Sequence, residues 1–171
     1  MKALVISGGG SKGAFAGGVA EYLMKEAKHD YTLFLGTSTG SLLIPHLAMG
    51  NINKVKHIYT NVKQSDIFSL NPFIKKKKDN REYVTINYLN TAIQFIKKKS
   101  TFGESKSLRK TILKFFTPKD FKEVQCCGKD VVVTVSNLTK NKIEYKSIHE
   151  FDYEEFIDWI WISCNLVPFM S

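Results

Sequence analysis

This sequence predicts an α/β fold organised on a mostly parallel sheet. Three observations carry that expectation. Residues 2–7 and 31–35 are short apolar runs, and each leads straight into a glycine-rich turn. The stretch between them, residues 14–26, has the apolar periodicity of a helix. A strand–helix–strand connection of that length makes the strands parallel and their crossover right-handed. If the strands are neighbours, both glycine turns leave the same end of the sheet.

The first run, Lys2-Ala3-Leu4-Val5-Ile6-Ser7, reads as a strand buried on both faces. Gly8-Gly9-Gly10-Ser11-Lys12-Gly13 follows directly. In the helix after it, Phe15, Val19 and Leu23 recur at four-residue spacing, with Ala16 and Ala20 beside them, and predict one packed face. Gly17 and Gly18 cost helix propensity, which points to close packing against the sheet. The second strand ends at Leu35 and gives way to Gly36-Thr37-Ser38-Thr39-Gly40, after which residues 41–49 form an apolar helix. Ile52, Val55, Tyr59 and Val62 mark another helix. Residues 64–80, with Pro72 and a run of four lysines, read as a loop. Leu89, Ala92, Ile93 and Ile96 fall at i, i+3, i+4 and i+7, a helix face. Leu108, Ile112, Phe115 and Phe116 mark the next helix, closed by Pro118. This helical middle section is expected as an insertion on one side of the sheet. Residues 131–135 and 142–148 read as two strands joined at 139–141 in a hairpin. Residues 153–167 predict a last helix on which Ser163 and Cys164 suit close packing near the sheet. No repeat or low-complexity linker divides the chain, so one domain over residues 1–171 is expected.

Composition narrows the function classes. No apolar run approaches the roughly 20 residues that cross a bilayer. The apolar stretch before Gly8 is shorter than a signal-peptide core of about 7–15 residues, so an intracellular, cytoplasmic protein is expected. Cys126, Cys127 and Cys164 are odd in number, two are adjacent, and no metal-ligand spacing occurs. Neither a disulfide framework nor a metal or cofactor site is expected. The formal charge is +9, with much of the excess at Lys75, Lys76, Lys77 and Lys78 and at Lys97, Lys98 and Lys99. Solvated loops and helix ends are the plain reading of these runs. Attraction to an anionic surface is the functional one. Nucleic acid is not an expected partner, since no aromatic RNA-binding motif or helix-turn-helix pattern is present.

The chemistry concentrates at the two glycine turns. A serine at a sharp strand-to-helix turn, with small residues two before and two after, is the context of a nucleophile elbow. Gly36 and Gly40 supply the small residues and Ser38 the hydroxyl. The helix beginning there directs N–H groups and the positive end of its dipole to the place where negative charge would develop. The backbone N–H groups of Gly8, Gly9, Gly10, Ser11, Lys12 and Gly13 would lie beside Ser38, as an anion site beside a nucleophile. A plain joining turn is the alternative. The spacing Gly8-x-Gly10-x-x-Gly13 also fits a dinucleotide fingerprint, but the second strand ends in Gly36-Thr37-Ser38 where that reading wants an acid. No Walker pattern follows the glycines. His46 lies eight residues beyond Ser38, about 12 Å along one helix, and cannot reach it. A Ser38–Asp130–His149 triad has the chain order of α/β-hydrolases, but that fold needs more strands before its elbow than fit before residue 38.

These residues resemble the patatin-like phospholipase family. Gly8-Gly9-Gly10-Ser11-Lys12-Gly13 is similar to its oxyanion loop, and Gly36-Thr37-Ser38-Thr39-Gly40 to its G-x-S-x-G elbow. The separation of one helix and one strand also matches. The strand–hairpin segment at 131–148 and the Trp159–Met170 segment resemble later parts of the family, so the likeness spans the chain. It implies a three-layer α/β/α fold and a Ser–Asp dyad. Ser38 would attack a lipid ester, N–H groups around Gly9 and Gly10, aided by Ser11, would hold the oxyanion, and Lys12 would steady the loop. The substrate would be a lipid or phospholipid ester, met through peripheral contact with an anionic membrane. The family's aspartate belongs to an Asp-Gly-Gly or Asp-Gly-Ala motif after the Pro-Phe segment. No aspartate here is followed by glycine. The expectation is therefore a domain incomplete at its C-terminus, with little activity by itself. A non-catalytic lipid-binding or interaction domain, and a nucleotide-binding domain using the Gly8–Gly13 loop, are the competing functions.

Overall fold

The computed structural model describes residues 2–170. In chain order the elements are β1 (Ala3–Ile6), α1 (Gly13–Glu21), β2 (Leu33–Thr37), α2 (Thr39–Ala48), α3 (Ile52–Asn61), β3 (Phe73–Lys78), β4 (Arg81–Ile86), α4 (Tyr88–Ile96), α5 (Lys106–Phe115), α6 (Pro118–Cys126), β5 (Asp130–Asn137), β6 (Lys142–Ser147) and α7 (Tyr153–Cys164). They group into two compact units. One comprises residues 1–61 with 112–164, the other 62–111 with 165–171.

The first unit is the expected α/β fold. Its sheet runs β1-β2-β5-β6. β1, β2 and β5 are parallel, and β6 returns antiparallel to β5 as a hairpin. Register aligns Leu4 with Phe34 and Phe34 with Val131, so one sheet face is a continuous apolar strip. Val133 and Val135 extend it, and all of these side chains are buried. α2 lies on this face through Leu43, Ile44 and Leu47, and α7 supplies Phe156, Ile157 and Ile160, all fully buried. Each such side chain contributes about 1.5–3 kcal/mol relative to leaving it in water. Lys146, paired with Val133 in the register, lays its ammonium 4.2 Å over the Trp159 ring of α7. Phe116 meets Phe121 and Phe156 edge to face, and Phe121 and Phe156 are tilted against each other. The opposite sheet face leaves Val5, Ile143 and Tyr145 more than half exposed.

α1 departs from its expected packing. Phe15 and Val19, read as the packed face, are 78% and 42% exposed. The buried side is Gly13, Gly17 and Ala20. Gly17 approaches Leu43 of α2 and Val55 of α3, so the small residues admit helices and not the sheet. Helix-to-helix approach rewards the absence of side chains, and the larger residues are turned away. Pro118, expected to close the preceding helix, opens a further helix, α6. Thr117 caps it, its hydroxyl accepting from the Asp120 N–H while Asp120 accepts from the Thr117 N–H. The last helix stops at Cys164 and not at 167.

In the second unit, residues 64–80 are not simply a loop. β3 and β4 form an antiparallel hairpin that holds the lysine run in a strand. Its turn is Asp79–Asn80, with φ of 48° and 60°. Two successive positive φ values are the mark of a tight hairpin turn that Asp and Asn tolerate. Phe73, Phe102 and Phe169 stack within this unit.

His46 on α2 is buried against Phe116, the two rings edge to face, with its Nδ1 unpartnered among the described residues. Burial, reinforced by nearby Lys54, lowers its pKa to about 4, and Asp120 opposes that only in part. The folded state thus resists a proton that the unfolded chain takes up near 6.5. Below that pH the unfolded state binds more protons, so stability falls as pH drops from about 6.5 to about 4. The shift corresponds to on the order of 3 kcal/mol. Urea denaturation at several pH values should show this loss, and His46→Leu should flatten it.

Candidate active site

The elbow begins where β2 ends. Ser38 caps α2 with φ 53° and ψ −121°, a conformation costing a non-glycine residue roughly 1–3 kcal/mol. Close backbone approach holds it there. A Cβ on Gly36 would sit 2.5 Å from the Gly40 carbonyl carbon and 2.7 Å from the Ser41 nitrogen. A Cβ on Gly40 would run into the Ile6 carbonyl oxygen of β1. Strand, elbow and helix therefore touch backbone to backbone. The Ser38 carbonyl is fixed from the helix side, accepting from the Ser41 N–H at 2.8 Å and the Ser41 hydroxyl at 2.5 Å.

The glycine loop meets this elbow. β1 and β2 are parallel neighbours, so their C-terminal ends adjoin. A Cβ on Gly8 would lie 2.9 Å from the Ser38 Cβ and 3.5 Å from its Oγ. The Thr39 hydroxyl donates to the Gly10 carbonyl at 3.2 Å. Gly10 has φ 56°, which glycine adopts without penalty, and nothing lies within 4 Å of where its Cβ would be. Gly10–Lys12 form a single 3-10 turn, with the Lys12 N–H on the Gly9 carbonyl at 3.1 Å. Gly8, Gly9, Gly10, Ser11 and Lys12 are solvent-exposed, Gly13 is buried against Thr39 and Tyr59, and Ser38 is half-buried. Thr37 joins its hydroxyl to that of Thr134 on β5. The Tyr59 hydroxyl is buried beneath the loop without a hydrogen bond among the described residues, and burial raises its pKa.

With the loop and elbow in place, the comparisons are informative. The sequence profile described as patatin-like phospholipase matches residues 4–171. The chain belongs to the patatin-like phospholipase family. No individual curated protein and no solved structure matches it. Membership sets hydrolase chemistry and lipid metabolism as the general frame, with lipids as the substrate class.

Two nucleophile arrangements do not form in this structure. Asp130 pairs with Leu33 at the start of β2, five residues and roughly 16 Å of strand from Ser38. It accepts the Ser147 hydroxyl at 2.7 Å. His149 follows Ser147, which pairs with Val132 near that same end. No Ser38–Asp130–His149 triad forms. Cys164 keeps its sulfur inside, 3.7 Å from the Ser41 hydroxyl, and burial pushes its thiol up to about 12. It is a thiol and not a thiolate at neutral pH, and so a poor nucleophile. Among the described residues no cluster of metal-ligating side chains occurs.

Ser163 near the end of α7 reaches the elbow. Its hydroxyl accepts the Ser38 N–H at 2.8 Å and donates to the Thr134 carbonyl at 2.8 Å. It ties the elbow to β5 and occupies the Ser38 amide. A serine near the end of a helix carries no signal of such a bridge. Ser163→Ala orphans both groups and should cost about 1–3 kcal/mol, read as a lower urea midpoint, while Ser163→Thr should retain more of it.

Proposed function

We propose that the chain carries the nucleophile and oxyanion site of a lipid acyl hydrolase. One observation supports this above others: Ser38 sits at a strained φ of 53° with the Cα of Gly8 packed against its side chain. In this reading the Ser38 Oγ attacks the ester carbonyl of a lipid or phospholipid. The N–H groups of Gly9 and Gly10, aided by the Ser11 hydroxyl, take up the negative charge of the tetrahedral intermediate. Lys12 steadies the loop and favours an anionic substrate. The alcohol leaves, and water then hydrolyses the acyl-serine to release a fatty acid. The proton from Ser38 needs a carboxylate, and no hydrogen bond to the Ser38 hydroxyl occurs among the described residues. We assign that role to an Asp-Gly-Gly or Asp-Gly-Ala aspartate, a motif that residues 1–171 do not contain. The protein would work in the cytoplasm, at a lipid surface.

The test is hydrolysis of a short-chain nitrophenyl ester by this chain, by the chain extended through its downstream coding sequence, and by Ser38→Ala forms of both. Little turnover by residues 1–171 and Ser38-dependent turnover by the extended chain are expected. The unpartnered hydroxyl favours a second reading, a non-catalytic lipid-binding domain, and an inactive extended chain would select it.

A further inference from the structure

The second unit turns apolar side chains outward beside a dense set of cations. α4 is amphipathic in the inverted sense. Gln94 is 1% exposed and Thr91 is buried, whereas Leu89 is 72% and Ile96 81% exposed. Tyr88 and Phe95 are also exposed, and these four positions share one side of the helix. The expectation that Leu89, Ala92, Ile93 and Ile96 mark the packed face is therefore reversed at Leu89, Ala92 and Ile96, while Ile93 is half-buried. Thr91 donates its hydroxyl to the Asn87 carbonyl at 3.0 Å, and the buried Gln94 Nε2 has no hydrogen-bond partner among the described residues. One residue, Asn87, separates α4 from β4, where Val84 is 62% exposed.

Charge surrounds this apolar surface. The register of the hairpin sets Lys76 opposite Tyr83 and Lys78 opposite Arg81, a like-charge pair beside the turn. Lys75 reaches Glu82 at 3.7 Å, and among the described residues no ion pair engages Lys76, Lys77, Lys78 or Arg81. Lys97, Lys98 and Lys99 are exposed at the other end of α4. An exposed apolar stripe has nothing to gain from water, and unpaired lysines flanking it repel one another. A surface that is apolar inside and anionic outside relieves both.

We propose that the β3–β4 hairpin and α4 dock onto an anionic lipid surface. Leu89 and Ile96 enter the boundary between headgroups and acyl chains, and the lysines of the hairpin and of residues 97–99 meet the headgroup charge. Bases of a nucleic acid could stack on Tyr88 and Phe95 but would leave the exposed Leu89 and Ile96 in water, which favours lipid as the occupant. The docking surface lies wholly within residues 62–111 and stands whether or not Ser38 turns over.

The probe is co-sedimentation with vesicles of phosphatidylcholine containing about 30% phosphatidylserine, against vesicles of phosphatidylcholine alone. The chain should pellet with the anionic vesicles, and raised salt should weaken the binding. Lys76→Glu/Lys77→Glu/Lys78→Glu should lower the partition coefficient by about a hundredfold. Leu89→Ser/Ile96→Ser should lower it by about tenfold or more with circular dichroism unchanged. Ser38→Ala should pellet like the parent, which separates this result from the hydrolase reading. Unchanged partition in both surface variants, or no partition of the parent, would overturn the proposal. So would a parent dimer that Leu89→Ser/Ile96→Ser converts to monomer, which would make a second copy the occupant. Binding of single-stranded DNA through the same lysines without vesicle binding would overturn it too.

Discussion

Ser38→Ala should reduce ester hydrolysis at least about 10³-fold in a chain that carries its general base, through kcat with KM little changed. The split follows from the geometry. The glycine loop is built from backbone and stays in place when the hydroxyl is removed, so substrate binding persists. The bond-forming atom is lost. Stability should barely move, because alanine at φ 53° is strained as serine is. Ser38→Gly makes the complementary statement: it relieves a strain of roughly 1–3 kcal/mol and should raise Tm by several degrees while abolishing turnover. A catalytic serine held at a cost to stability produces that pairing, and a plain joining turn produces the first half of it only.

Gly40→Ala should be the most destabilising single methyl in the chain. Its Cβ would enter the Ile6 carbonyl oxygen of β1, which is backbone inside a parallel sheet and has no rotamer to change. Gly36→Ala meets the Gly40 and Ser41 backbone at 2.5–2.7 Å with the same result. Relief requires α2 to lift from the sheet, and α2 carries Leu43, Ile44 and Leu47 into the core. A loss of about 3–5 kcal/mol is expected, which lowers Tm by roughly 10 °C or prevents folding. Gly18→Ala is the internal control. It lies mid-helix with nothing within 4 Å of its Cβ, and should stabilise by about 0.5–1 kcal/mol. Thermal melts of the three variants check the contrast.

The sheet and the elbow were legible because their signals are local and rigid. Two apolar runs with a helix between them force parallel strands, and the strands then deliver Gly8 and Ser38 to one end. The packing of α1 was not legible. Periodicity marks Phe15 and Val19, but only the three-dimensional neighbours Leu43 and Val55 reveal that Gly17 faces inward. The hairpin at 73–86 was hidden because lysines in succession lack the alternation of a half-buried strand. Its Asp79–Asn80 turn is the signal that could have found it. Thr117-Pro118 with Asp120 likewise announced α6 in the sequence. Ser163 was beyond reach, since its partners Ser38 and Thr134 are joined to it by tertiary structure alone.

In the proposed function Ser38 is an acyl-accepting nucleophile. The most direct test is to treat the extended chain with a fluorophosphonate and locate the adduct by peptide mass spectrometry. The geometry predicts a single adduct on Ser38 that disappears in Ser38→Ala and is slowed by a competing phospholipid. Labelling of another residue, or labelling that survives Ser38→Ala, would contradict it.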